Sequence, residues 1–295
     1  IGHWRSTDGL TWNRVGTLYE STGDTTGRDP RAVFFAAMPV FDETANVWNI
    51  FYVSYRYTVR PKRGYTHSDG RIYRGVSKQK GRNGIGGPYR DVGVIMQPDS
   101  ESQAWEGHQG VDSFYPFKVG NHWYGFYGSA KTETLPERPC SFWAVGLAEA
   151  PSLAGPWKRL PATYNPVQPK LTLNGGITYD VMVENPIVSV INGWQVACID
   201  FLIPAPAPTS NAPLLSPAEF RKVDHLAYIV SKDGRSWQFG ELIPLLPESA
   251  RWWTDMRTPL GFINEGNGIY TMYFTAFKHY REFAPMGRVT LRLKP

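Results

Sequence analysis

The 295-residue chain has only two cysteines, Cys140 and Cys198. That is too few for a disulfide scaffold or a zinc cluster. Cys198 lies in the apolar run WQVACIDF, where a free thiol is expected to be buried. No apolar run approaches the length of a membrane span, so no membrane partner is expected. Neither a Gly-rich phosphate loop nor an HExxH pair is present, which leaves no motif for nucleotide or zinc-protease chemistry. Long runs of like charge are missing too. The 31 basic and 26 acidic residues give a net charge of +5 and are scattered, with only short clusters such as RPKRGY at 60–65. Without a basic helix, zinc pattern or RNA-binding signature, this surplus does not indicate a nucleic-acid partner. A mild pull on an acidic glycan is compatible with it.

Aromatic residues and turn-formers are abundant. The chain holds 11 Trp, 16 Tyr and 15 Phe beside 29 Gly and 24 Pro, the composition of a β-rich protein with frequent tight turns. Two segments match closely, STDGLTW at 6–12 and SKDGRSW at 231–237, each carrying the Asp-Gly hairpin signal. GVSKQKGRNGIGGPYRDVG and GLAEAPSLAGPWKRLP read the same way, as strand, turn, aromatic, strand. Between them lie four strand pairs: AMPVFDETANVWNIFYVSY, DSFYPFKVGNHWYGFYGSA, ENPIVSVINGWQVACIDF and RTPLGFINEGNGIYTMYFTA. Aligned on their turns, Pro39, Phe114, Pro186 and Pro259 become equivalent, at steps of 75, 72 and 73 residues.

A regular period over the whole chain marks a repeat architecture. Four short strands per repeat fit a β-propeller blade with long connecting loops better than a β-sandwich. The expectation is one all-β domain over 1–295, a five-bladed β-propeller almost without helix. Residues 1–18 resemble the outer half of one blade, so the chain is expected to start within the first blade.

Innermost propeller strands run the same way around a central channel, so equivalent strand heads meet at one end. Two positions before each aligned Pro or Phe stand Ala37, Asp112, Glu184 and Arg257. Strand heads are often simply polar. Here, however, three of the four are ionisable and open otherwise apolar strands, and Glu is seldom fully buried unless paired. Carboxylates around one pocket suit general acid–base work, because crowding and partial burial raise one carboxyl's pKa while another stays ionised. Glycoside hydrolysis uses such a pair, at one separation for inversion and a shorter one for retention.

RDP at 28–30, VDSFYPF at 111–117, VENPIV at 183–188 and the hairpins SLAGPW and SKDGRSW carry a resemblance. The chain resembles the five-bladed propeller glycoside hydrolases, the broad group of family 43 arabinofuranosidases and xylosidases with families 32 and 117. That resemblance implies a base Asp, an orienting Asp and an acid Glu on successive blades. Carried over, Glu184 is the general acid and Asp112 the orienting carboxylate. The expected base position holds Ala37, a departure from the pattern; Asp29, in GRDPRAVF, is the substitute, against an Asx-type turn before Pro30.

Asp180, four residues before Glu184, and Arg257 are expected to contact substrate, with Arg28 near the base. Trp105, His108, Trp252 and Trp253 precede inner strands, where they could form sugar platforms. No cofactor is implied, and a calcium ion in the channel is compatible but unspecified. The resemblance implies a secreted or periplasmic exo-acting glycosidase on terminal furanose or pentose-like residues, with its signal peptide outside this chain. Two alternatives stay open: a glycoside phosphorylase, which needs a basic cluster for phosphate, and a non-catalytic glycan-binding propeller.

Overall fold

The structure, a computed structural model, describes residues 1–58, 67–107, 109–131, 142–172, 178–202, 225–243, 253, 255–277 and 283–292. Among these described residues strand makes up 64% and helix 2%, so the class is all-β. The chain divides into two compact units, Ile1–Phe142 with Ala148–Leu160, and Trp143–Leu147 with Pro161–Pro295.

The first unit opens with a two-stranded hairpin, β1 (Gly2–Arg5) and β2 (Asn13–Thr17). A four-stranded sheet follows in the order β3 (Val33–Asp42), β4 (Val47–Tyr57), β5 (His67–Lys80), β6 (Tyr89–Met96). A second is built from β7 (Val111–Val119), β8 (His122–Lys131), β9 (Phe142–Ala150) and β10 (Lys158–Arg159). The core of this unit gathers Phe51, Val53, Tyr55, Ile72, Val111, Phe114 and Tyr127. Residues alternate along β4 and β7, so aromatic and β-branched side chains reach it from both strands.

The second unit begins with the short pair β11 (Lys170–Thr172) and β12 (Thr178–Asp180). A four-stranded sheet follows: β13 (Met182–Ile191), β14 (Trp194–Leu202), β15 (His225–Ser231) and β16 (Gln238–Leu242). Three strands complete it, β17 (Asp255–Gly266), β18 (Ile269–Phe277) and β19 (Phe283–Arg292). Cys198, Leu226, Trp253, Met272, Phe274 and Ala276 form its core.

These sheets are blades of a β-propeller. Four blades are found among the described residues, against the five expected; β1–β2 stands as a separate two-stranded sheet. The turns follow from sequence. Asn192-Gly193 joins β13 to β14 and Asn267-Gly268 joins β17 to β18, each with positive φ at both residues. That is the type I′ geometry which Asn-Gly favours because its twist matches the strands. In the matched hairpins, Asp8 accepts the N–H groups of Leu10 and Thr11, and Asp233 those of Arg235 and Ser236, all at 2.8 Å.

One backbone device recurs at the head of every inner strand. Phe35 pairs with Val53 but Met38 with Phe51, so three steps on β3 meet two on β4. The same β-bulge opens after Val111 on β7 and after Glu184 on β13, and a related shift follows Arg257 on β17. The next residue has positive φ at Ala36, Asn185 and Thr258. For the β-branched Thr258 this is a strained conformation. Bulges re-aim side chains at strand ends.

The bulges correct the alignment. The residue equivalent to Glu184 and Arg257 is Phe35 in the first blade, not Ala37, and Val111 in the second, not Asp112. Asp112 matches Ala36, Asn185 and Thr258. Two causes act: the β3–β4 turn is longer, spanning Glu43–Asn46, and β7 carries one more residue between bulge and turn (Val111–Val119) than β13 does (Glu184–Ile191), so alignment on turns slips.

Candidate functional site

In the first unit the candidate site is built around Asp112. The Tyr55 hydroxyl donates to Asp112 Oδ1. Burial, with the Asp112 charge beside it, pushes the Tyr55 phenol well above its ordinary pKa, so it remains a donor. Tyr55 reaches across β5 because residue 70 is glycine. A Cβ there would sit 2.4 Å from the Tyr55 ring and 2.2 Å from the Val111 carbonyl. Gly128 on β8 leaves room for the same stretch, since a Cβ there would lie 2.9 Å from Ser113 Oγ and 3.3 Å from Asp112 Cβ. Gln109 is 2% exposed, and its Nε2 donates weakly to the Tyr55 oxygen at 3.4 Å. Around Tyr55, the rings of Phe35, His67 and Tyr57 cluster at centroid distances of 5.1–5.8 Å.

The segment before β7 is held by a buried ion pair. Arg159 Nε and Nη2 donate to the two oxygens of Glu106 at 2.8 and 3.1 Å, with side chains 7% and 5% exposed. The guanidinium also donates to the Gln97 carbonyl, Asp99 and Ser102, and Tyr127 donates to Glu106. This network fixes the stretch that carries Trp105 and Gln109. Trp105 itself is half-buried: it packs on the core, meets Tyr127 at 5.5 Å, and donates to Gln103.

Asp29 sits in the Asx-type turn that was its alternative role. Its Oδ1 accepts the Arg31 N–H at 2.8 Å and its Oδ2 the Thr22 hydroxyl at 2.5 Å. Arg28 is exposed, and its carbonyl accepts from Arg56.

In the second unit Glu184 is 8% exposed at the head of β13, directly opposite Asp200 on β14, which is 0% exposed. Opposed residues of an antiparallel pair share a face with Cβ atoms about 5 Å apart. Two carboxyl groups are therefore neighbours in a buried place. Thr258, at the β17 bulge, donates to Asp200 Oδ2 at 3.5 Å. Arg257 precedes it and pairs in register with Thr275; its side chain lies outside the described residues. Asp180 forms an ion pair with Lys170 across β11–β12. Trp253 is 8% exposed and packs against Phe274 in the core, so it offers no free platform. His108 and Trp252 lie outside the described residues. Among the described residues, no three His, Cys, Asp or Glu side chains come together to hold a metal ion.

No family model matches the chain, and no curated protein does at the level of sequence. Solved structures do. A glycoside hydrolase aligns with 97% of this chain and 76% of its own at a TM-score of 0.64 and 14% identity. A second structure, described as an RGII complex, aligns with 99% of this chain and 77% of its own, at 0.62 and 14%. An α-L-arabinanase mutant from Cellvibrio cellulosa aligns with 99% and 84%, at 0.58 and 12%. The fold is that of propeller glycoside hydrolases.

At such identities the similarity speaks for the fold alone, and the chemistry has to come from the residues. Within this propeller fold, Glu184 heads its inner strand at the bulge, whereas Asp112 stands one residue past the bulge head, at the position of Asn185. Sequence reasoning missed Asp200, Tyr55, Gln109 and Phe35. Asp200 carried the same signal as Glu184, a carboxylate at the end of an apolar run, WQVACIDF. The others carried none, because a Tyr, Gln or Phe acquires its role only through its neighbours.

Proposed function

We propose that the protein is a glycoside hydrolase, exo-acting on terminal furanose or pentose-like residues. The observation that carries this is the buried Glu184 at a bulged strand head, opposite the fully buried Asp200. A carboxyl group withdrawn from water, beside a second one, suits a proton donor to a glycosidic oxygen. Glu184 is assigned that role. Asp112, held by the Tyr55 hydroxyl, is assigned the orienting role. The base role is assigned to Asp29 on sequence order. Its carboxylate also supports a turn, so Asp29→Asn is to be read for stability as well as rate. Arg257, Asp180 and Arg28 are the polar residues assigned to substrate, with Trp105, His108 and Trp252 as the aromatic and imidazole candidates.

The fold supports the activity class, and an α-L-arabinanase among the similar structures makes arabinofuranosyl polymers the first to screen. The test is incubation of the protein with aryl glycosides and with plant, algal and microbial polysaccharides, with product analysis. Release of a terminal monosaccharide without added phosphate is expected. Absence of product from every substrate, or turnover only with phosphate, overturns the proposal.

A further inference from the structure

Phe35 occupies the bulge head of its blade, yet it is an apolar residue left 46% exposed. It is held edge-to-face by two rings, Tyr55 at 5.8 Å and 72° and His67 at 5.1 Å and 83°. His67 is opposite Tyr57 in the β4–β5 register and lies 5.3 Å from its ring. A single exposed Phe is ordinary on a protein surface. Two further observations set this one apart. Tyr55 connects it directly to Asp112 through the phenol hydrogen bond. Gln109, itself almost wholly buried, keeps Oε1 without a hydrogen-bond partner among the described residues while its Nε2 faces the same phenol. Gln109 therefore carries an unanswered acceptor close to the phenol whose ring Phe35 packs against, and a hydroxyl donor would answer it.

We propose that Phe35, His67 and Tyr57, together with Gln109 and Tyr55, form a subsite in the first unit that takes an uncharged glycosyl residue. The inference rests on the glycoside hydrolase reading and adds residues and a ligand class to it. Phe35 offers a ring to the C–H face of a sugar, and Gln109 offers an acceptor to a hydroxyl. The charges argue for a neutral sugar. Burial lowers the His67 pKa, so its imidazole is neutral at pH 7 and can both donate and accept. Asp112 would repel a uronate carboxylate. Arg56 and Arg71, the cations on β4 and β5 nearby in sequence, both pair with Asp69 at 2.8 Å.

The test is affinity electrophoresis through gels containing debranched arabinan, xylan or polygalacturonate, in a Glu184→Gln background so that nothing is cleaved. Retardation by a neutral polysaccharide is expected. Phe35→Ala should weaken it at least tenfold and Phe35→Trp should retain it, with melting temperatures confirming that each variant is folded. Gln109→Leu should weaken it as well. Unchanged affinity in Phe35→Ala, retardation by polygalacturonate alone, or no retardation in any gel overturns the subsite. The hydrolase reading fails in a different assay, as absence of product from the wild-type protein, so the two failures are distinguishable.

Discussion

Replacing Arg159 with Met should destabilise the first unit severely. The guanidinium makes two hydrogen bonds to Glu106, and both side chains are almost completely buried. Removing one partner leaves Glu106 as an uncompensated charge, at a cost of about 3–5 kcal/mol. The Asp99 arm adds little, because that carboxylate is 40% exposed and screened. For a protein of this size the loss corresponds to a fall in melting temperature on the order of 10 °C. Glu106→Leu combined with Arg159→Met should recover most of it, since a buried pair replaced by apolar groups is often nearly neutral. Recovery stays incomplete because the Tyr127 hydroxyl and the Gln103 N–H lose their acceptor, each worth about 1 kcal/mol. Urea unfolding followed by tryptophan fluorescence measures all three proteins. Arg159→Met within about 1 kcal/mol of wild type, or a double variant no better than Arg159→Met, would refute the reasoning.

Tyr55→Phe removes only the hydroxyl that Asp112 accepts; a loss of about 1.5 kcal/mol is expected by urea unfolding, and an unchanged midpoint contradicts the bond. Burial pushes the Cys198 thiol up to about 12, so in a Cys140→Ser variant a thiol reagent at pH 8 should label nothing until the protein is unfolded, when it labels one site. Partial burial pushes Asp233 up, but hydrogen bonds from the Ser236 and Arg235 N–H groups and from the Ser231 and Ser236 hydroxyls outweigh this and hold it at about 2. A folded pKa below the unfolded one gives stability that is present above the ordinary carboxylate range and lost as pH falls towards 2. Asp233→Asn should therefore flatten the acid side of the stability profile between about pH 4 and pH 2, and an unchanged profile would argue against it.

Much of the fold was legible because it rests on local rules. Asp-Gly and Asn-Gly turns and two-residue alternation specify hairpins from adjacent residues, and all four inner strand pairs occur where the period put them. What was not legible depends on distant neighbours. A bulge adds a residue to one strand against its partner, so the head of β3 moved from Ala37 to Phe35 with no mark in the sequence. The number of blades is likewise a property of how sheets assemble: among the described residues four are found where five were expected. At the site, Glu184 announced itself as a carboxylate heading an apolar strand. Trp253 was expected as a platform because Trp is large and amphipathic, but the Phe274 packing that buries it comes from another strand. Asp29 shows the reverse: its Oδ1 closes a local Asx turn, readable from Asp-Pro, while its Oδ2 accepts the hydroxyl of Thr22, seven residues upstream.

The central claim is that Glu184 gives a proton to the leaving group, and the turnover of Glu184→Gln on the best polysaccharide and on an activated aryl glycoside tests it most directly. The amide cannot donate a catalytic proton, so kcat on the polysaccharide should fall by about 10²–10⁴, while the aryl glycoside, whose leaving group needs no proton, loses far less. Wild-type turnover of the polysaccharide by Glu184→Gln, or an equal loss on both substrates, would contradict it.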